Sequence, residues 1–224
     1  MVVRAFILLC LPLSETANMP VEQIVYVVDD DEGIREGLSL LLETTGQSVK
    51  SYSNAANFLD DYDKTMRGCL ILDIRMPRMT GLDLQKKLNN CGAALPIIFI
   101  TGHGDIPMAV EAMRQGAIDF IRKPFREQDL LDRINQALLI DASRSKQQDE
   151  RSITLSKLAL LSERERQIFE RVAKGEMNKV IAHDLGISER TVEVHRSQVM
   201  KKLEVKTLAE LVRFKLQEEI STLS

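Results

Sequence analysis

Three short apolar runs in this chain each stop on a polar residue that is costly to bury. "QIVYVV" (23–28) leads into Asp29 and Asp30, "GCLILD" (68–73) ends on Asp73, and "PIIFIT" (96–101) ends on Thr101. Runs this continuous, without polar alternation, suit strands of a parallel sheet covered on both faces. Two weaker strands are expected at 48–53 and 117–121. Helix-period segments fill the gaps at 33–46, 54–64, 81–90, 105–116 and 127–140. Five strands alternating with five helices, joined by right-handed crossovers, predict a doubly wound α/β domain with a parallel five-stranded sheet. Ligands of such sheets sit beyond the carboxyl ends of the strands. Those are the ends where the acids stand.

The pattern changes after residue 140. "DASRSKQQDERS" (141–152) is polar without an apolar period, and reads as a linker or as a continuation of the last helix. Beyond it come four helical segments and no strand signal. The charge changes too. Residues 1–151 carry a balance of −5 and residues 152–224 one of +2, which adds to the chain's net −3. An acidic front and a mildly basic back suggest two tasks. Cys10, Cys69 and Cys91 form no CxxC pair, and the three histidines lack metal-ligand spacing, so neither a disulfide framework nor a zinc site is indicated. This is the cysteine usage of a reduced, cytoplasmic protein. The apolar run within residues 1–18 is too short to span a bilayer, so no membrane insertion is expected. Residues 1–22 are read as a leader, loosely held or the product of a mistaken upstream start, with Met19 just before the first strand.

The strand ends gather a specific chemistry. The first strand delivers Asp29 and Asp30, the third Asp73, the fourth Thr101, and Lys123 follows the fifth. Carboxylates that repel one another need a cation. Hard oxygen ligands suit Mg²⁺. Lys123 then serves as a point charge for an anion, with phosphate the natural candidate. Asp31 and Glu32 instead suit the positive end of the first helix.

Four motifs carry a resemblance: "VVDDDE", "LILDIRMPRMTG", "FITGHGD" and "DFIRKPF". In this order they resemble the receiver domain of two-component response regulators, nearest the FixJ-like branch, over residues 23–140. The resemblance implies a flavodoxin-like fold and a role for each position. Asp73 would be the phosphoacceptor. Asp30, Asp73 and the backbone carbonyl of Arg75 would hold Mg²⁺, with Asp29 acting through water. Lys123 would bind a phosphoryl oxygen, Thr101 would donate its hydroxyl to the phosphoryl group, and Phe120 would change rotamer with it. Pro124 would follow a cis peptide bond. Pro77 and Gly81 shape the loop after Asp73, and Cys69 reads as core.

In the back half, Ser162 with Glu165 three residues on is a capping box. Helical segments at 178–186 and 187–203 are joined by a tight turn containing Gly186, a helix-turn-helix pattern. On the second of them, Val192, His195, Val199 and Leu203 share one side, and Arg190, Val194, Ser197 and Lys201 lie opposite. "LSERERQIFE" and "IAHDLGISERTVEVHRSQVMKKL" resemble the LuxR/FixJ-type DNA-binding domain, over 158–216. That resemblance implies base contacts from Glu193, Val194 and Ser197, and phosphate contacts from Arg190, Arg196, Lys201 and Lys202.

The reading is a leader at 1–22, a receiver domain at 23–140, a linker at 141–156 and a small all-α four-helix helix-turn-helix domain at 157–224. The expected function is a transcriptional regulator of double-stranded DNA. A sensor histidine kinase would switch it by Mg²⁺-dependent phosphorylation of Asp73, and phosphorylation would promote a homodimer. The dimer face would lie on the helix 105–115 and strand 117–121, with Val110 and Arg114 as candidates. The chain is not expected to be an enzyme beyond assisting its own phosphoryl transfer and dephosphorylation. Two rivals are a DNA-binding regulator with a silent receiver and a phosphotransfer protein without DNA binding. An Mg²⁺-dependent phosphatase would want an acid two residues after its nucleophile, where this chain has Arg75.

Overall fold

The computed structural model describes residues 22–102 and 106–223. The leader reading therefore falls, Glu22 apart, outside the described residues, as do His103 and the first residue of the helix expected from 105. The chain divides into two compact units, Met1–Asp141 and Ala142–Ser224.

The first unit is the expected alternation: β1 (Ile24–Val28), α1 (Glu32–Thr44), β2 (Ser48–Tyr52), α2 (Ala55–Asp61), β3 (Gly68–Asp73), α3 (Gly81–Asn90), β4 (Ile97–Thr101), α4 (Ile106–Arg114), β5 (Asp119–Arg122) and the start of α5 (Glu127–Ala159). All neighbouring strands are parallel, in the order β2-β1-β3-β4-β5. The side chains of the central strands alternate between two cores. Tyr26, Val28, Leu70, Leu72 and Phe99 pack with residues of α2, α3 and α4. Val25, Val27, Ile71, Ile98 and Ile100 pack with α1 and α5. Burying a side chain such as Phe99 contributes roughly 1.5–3 kcal/mol, which is why both faces can be apolar throughout.

Local chemistry sets the helix starts. The Asp31 carboxylate accepts from the N–H groups of Gly33 and Ile34 and caps α1. Asn54 caps α2, and Thr80 with Asp83 makes a capping box on α3. At the opposite pole of the sheet, Gly68 has φ +120, and a Cβ there would fall 1.9 Å from the carbonyl oxygen of Ile24. Only glycine fits, because β1 and β3 run side by side at that point.

Several boundaries differ from the sequence reading, β5 and α5 among them. β5 begins at Asp119 and includes Arg122, which pairs in register with Thr101. It is an edge strand, so a charged side chain can end the ladder in solvent. α5 runs unbroken to Ala159, so residues 141–156 are helical throughout, one of the two readings of that stretch. The segment has good helix formers and neither Gly nor Pro.

The second unit holds the end of α5 with α6 (Glu163–Ala173), α7 (Asn178–Leu185), α8 (Glu189–Leu203) and α9 (Leu208–Leu223). Leu158, Ile168, Phe169, Val172, Ile181, Val192, Val199, Leu203, Leu211 and Phe214 form its core. α9 outruns the apolar stripe expected to end at 216. Glu218 explains part of this: its buried carboxylate receives Arg166 Nη2 at 2.7 Å and Lys215 Nζ at 2.8 Å. A charged residue packed inward is invisible to a search for apolar periodicity.

Candidate functional site

The strand order places the acids together. β1 and β3 are neighbours with Val28 opposite Leu72, so the next residues, Asp29 and Asp73, emerge side by side at the carboxyl edge. Asp29 is 3% and Asp73 7% exposed. Lys123, just after β5, closes the pocket, its Nζ 2.6 Å from Asp29 Oδ2 and 3.3 Å from Asp73 Oδ1. The Lys123 N–H donates to the carbonyl of Thr101 at 2.7 Å, which ties the lysine's backbone to the end of β4. Thr101 is 2% exposed. The Lys123–Pro124 peptide is cis.

Backbone donors complete the pocket. Asp29 Oδ1 accepts from the Asp31 N–H at 2.9 Å, and Asp73 Oδ2 from the Arg75 N–H at 2.7 Å. Gly81 brings the start of α3 against β3: a Cβ there would stand 2.3 Å from the carbonyl oxygen of Asp73. Burial raises the pKa of Asp73. Lys123 opposes that rise and the neighbouring Asp29 carboxylate adds to it. Burial pushes the Lys123 ammonium down, but Asp29 and Asp73 outweigh it, and its pKa ends above the ordinary value. The pocket thus holds Lys123 charged beside a carboxylate whose ionisation is opposed by burial and a like charge. Phe120 is half-buried on β5 against the core shared with β4.

Asp30 differs from its companions in being exposed at the tip of the β1–α1 turn. Among the described residues, no three His, Cys, Asp or Glu side chains stand together in a metal-holding group. The donor chemistry nonetheless fits a hard cation. Two buried carboxylates lie side by side with one lysine between them, and a third acid stands on the adjoining turn. Cys69 is core as expected, its thiol pushed up to about 12 by burial.

In the second unit, α7 ends at Gly186 in the left-handed conformation (φ 64), and Ser188 caps α8 by accepting from the Thr191 N–H. This is the expected helix-turn-helix. Val192, Val199 and Leu203 are buried, while Arg190, Glu193, Val194, Ser197 and Lys201 are exposed, Val194 to 55%. The other two expected DNA residues are tied inward. Arg196 Nη1 donates to Asn178 Oδ1 at 3.1 Å, and Lys202 Nζ to the buried Glu165 at 2.6 Å. Sequence reasoning missed Asn178 and also Arg164, whose Nη2 donates to the Leu185 carbonyl at 2.6 Å and so holds the end of α7 at the turn. No local pattern announces a side chain that reaches another helix's backbone.

Glu165 is also the far half of the Ser162 capping box. The Lys202 ammonium, then the Ser162 N–H, hold its carboxyl down at about 2. A carboxyl depressed in the folded state stabilises above its unfolded value near 4.5, and that contribution is lost as pH falls through about 2. Glu165→Gln keeps the capping box but loses the charged bond to Lys202, so it should be less stable than wild type near neutrality by about 1.5 kcal/mol, the scale of a hydrogen bond to a charged group. The two proteins should converge towards pH 2. Chemical denaturation across pH would check this, and a gap independent of pH would count against the charge.

Among the described residues no helix is long and apolar enough to cross a membrane. Residues 25–135 match the response regulator receiver domain, and residues 159–215 match the bacterial regulatory proteins of the luxR family. The response regulator protein TmoT of Ectopseudomonas mendocina is 50% identical over 86% of this chain and 87% of its own. The transcriptional regulatory protein FixJ of Azorhizobium caulinodans is 47% identical over 88% of this chain and 94% of its own. A solved structure of the response regulator StyR is similar with a TM-score of 0.84 and 45% identity, over 88% of this chain and 99% of that one. With both domain families matched in order, and relatives of this similarity along most of its length, the chain belongs to the FixJ-like response regulators.

Proposed function

We propose that this chain regulates transcription by binding double-stranded DNA through α8, under the control of phosphorylation at Asp73 by a partner histidine kinase. The observation that carries the reading is the convergence of Asp29, Asp73, Thr101 and Lys123 at one edge of the sheet. A Asp73 carboxylate oxygen attacks the phosphorus of a phosphohistidine, and the phosphorus–nitrogen bond breaks as the acyl phosphate forms. Such transfers depend on alignment and charge neutralisation. Lys123 supplies a positive charge already held beside Asp73. Thr101 ends the neighbouring strand, where its hydroxyl can bond the new phosphoryl group.

Receiver domains use Mg²⁺. Asp30, Asp73 and the Arg75 carbonyl would hold it here, with Asp29 through water. When bound, it neutralises charge on the phosphoryl oxygens. The chain assists only its own phosphoryl transfer and loss, and its place of work is the cytoplasm.

Phosphorylation then biases a two-state receiver through Thr101 and Phe120. The homodimer it favours would use α4 and β5. Val110 is 45% exposed there, with Ile106 and Met113 also exposed on α4, and Arg114 is an exposed neighbour. A silent receiver is the weaker reading, since every expected pocket residue is present.

Asp30→Ala tests the metal assignment. It should raise the Mg²⁺ concentration needed for phosphorylation by about tenfold or more, since losing even an outer-sphere partner of a metal ligand costs about that much. Thermal melts with and without Mg²⁺ would show it as a smaller stabilisation by the ion. An undiminished Mg²⁺ effect would remove Asp30 from the ligand set.

A further inference from the structure

The turn that carries Asp29 and Asp30 is bridged by one side chain. Arg35 lies in the first turns of α1, and its Nη1 donates to the carbonyl oxygen of Asp29 at 2.8 Å and to that of Asp30 at 3.0 Å. Each carbonyl belongs to a planar peptide unit that fixes the direction of the adjoining Cα. Two successive carbonyls converging on one nitrogen therefore restrain the backbone that aims both carboxylates. Asp29 has further restraints, from the Asp31 N–H and from Lys123. Asp30 is exposed, and Arg35 grips the carbonyl on its own residue.

We propose that Arg35 is a positioning residue of the phosphorylation pocket, orienting the Asp29–Asp30 backbone so that the two carboxylates face the cation. The proposal rests on the reading of this pocket as an Mg²⁺-dependent phosphoacceptor site. Two effects of Arg35 oppose each other. Its charge lies beside four successive acids, residues 29–32, and by Coulomb attraction alone its removal would tighten Mg²⁺ binding. Its two charge-assisted hydrogen bonds hold the turn, and their loss would weaken Mg²⁺ binding. Geometry prevails here, because the charge acts through water on the exposed Asp30, Asp31 and Glu32, while the two bonds fix directions at contact distance.

The test uses the full chain with Mg²⁺ alone and with acetyl phosphate. Mg²⁺ affinity is measured by calorimetry, and initial phosphorylation rates across Mg²⁺ concentration. Arg35→Met should need roughly tenfold more Mg²⁺ in both assays, the scale of a lost charged hydrogen bond. Its rate at saturating Mg²⁺ should stay close to wild type. Arg35→Lys keeps one charged nitrogen that can donate to both oxygens, but on a shorter and more strongly hydrated side chain, and should recover part of the affinity. Should the Met variant fail to fold, Arg35→Gln replaces it with the same expectation. Unchanged or tighter Mg²⁺ binding in the Met or Gln variant, with wild-type uptake normal, overturns the role of Arg35 alone. Wild-type protein that takes up no phosphoryl group at any Mg²⁺ concentration overturns the underlying reading instead.

Discussion

Asp73→Asn is expected to lose phosphoryl uptake completely, from acetyl phosphate or from a kinase, while keeping its fold. The amide has nearly the shape of the carboxylate but a far weaker nucleophilic oxygen, and Asp73 is the acid that ends β3 beside Lys123. The variant should also be more stable than wild type near neutral pH without Mg²⁺. The sign follows from the raised pKa. Burial and the Asp29 carboxylate disfavour the ionised form in the folded protein, so ionisation of Asp73 costs stability at neutral pH. That cost disappears as pH falls and wild-type Asp73 takes up its proton, so the advantage of the variant should shrink in acid. Phosphate-affinity gels and melts across pH would measure both effects. Equal gel shifts in variant and wild type would place the acceptor elsewhere.

Phosphorylation should tighten DNA binding to a paired site far more than to a lone half-site. A single helix-turn-helix on a weakly basic unit binds loosely, because phosphate contacts supply most non-specific affinity. Linking two such units makes the second binding event intramolecular, worth about 10²–10⁴ in affinity when geometry allows. Two-fold pairing requires two symmetry-related half-sites about one helical turn, ~10 bp, apart. Within each half-site the exposed face of α8 sets the division of labour. Val194→Ala or Ser197→Ala should change base preference, and Lys201→Ala should weaken all sequences and flatten the salt dependence. Lys202→Ala should act differently from Lys201→Ala: it strips Glu165 of its ammonium partner and so costs fold stability. Footprinting and salt titrations of phosphorylated and unphosphorylated protein would decide. Equal tightening on single and paired half-sites would refute the dimer mechanism.

Most of the fold and much of the candidate pocket were legible in the chain itself. Unbroken apolar runs such as "CLIL", short and alternating with helical segments, suit strands buried on both faces, and the polar residue that stops each one marks the open edge of the sheet. The Ser162–Glu165 capping box was equally plain, because a cap acts within a few residues of itself. Tertiary structure decided what depends on distance. That Asp29 lies beside Asp73 follows from β1 being the neighbour of β3, a pairing between residues 44 positions apart in the numbering. That Lys123 bridges both acids follows from β5 pairing with β4. Arg196 and Lys202 look like their neighbours on α8, yet Asn178 and Glu165 claim them from other helices. Local sequence determines which backbone forms and where it stops, because hydrogen-bond spacing and apolar periodicity are short-ranged. The partner of a charged side chain is chosen by whichever element packs against it.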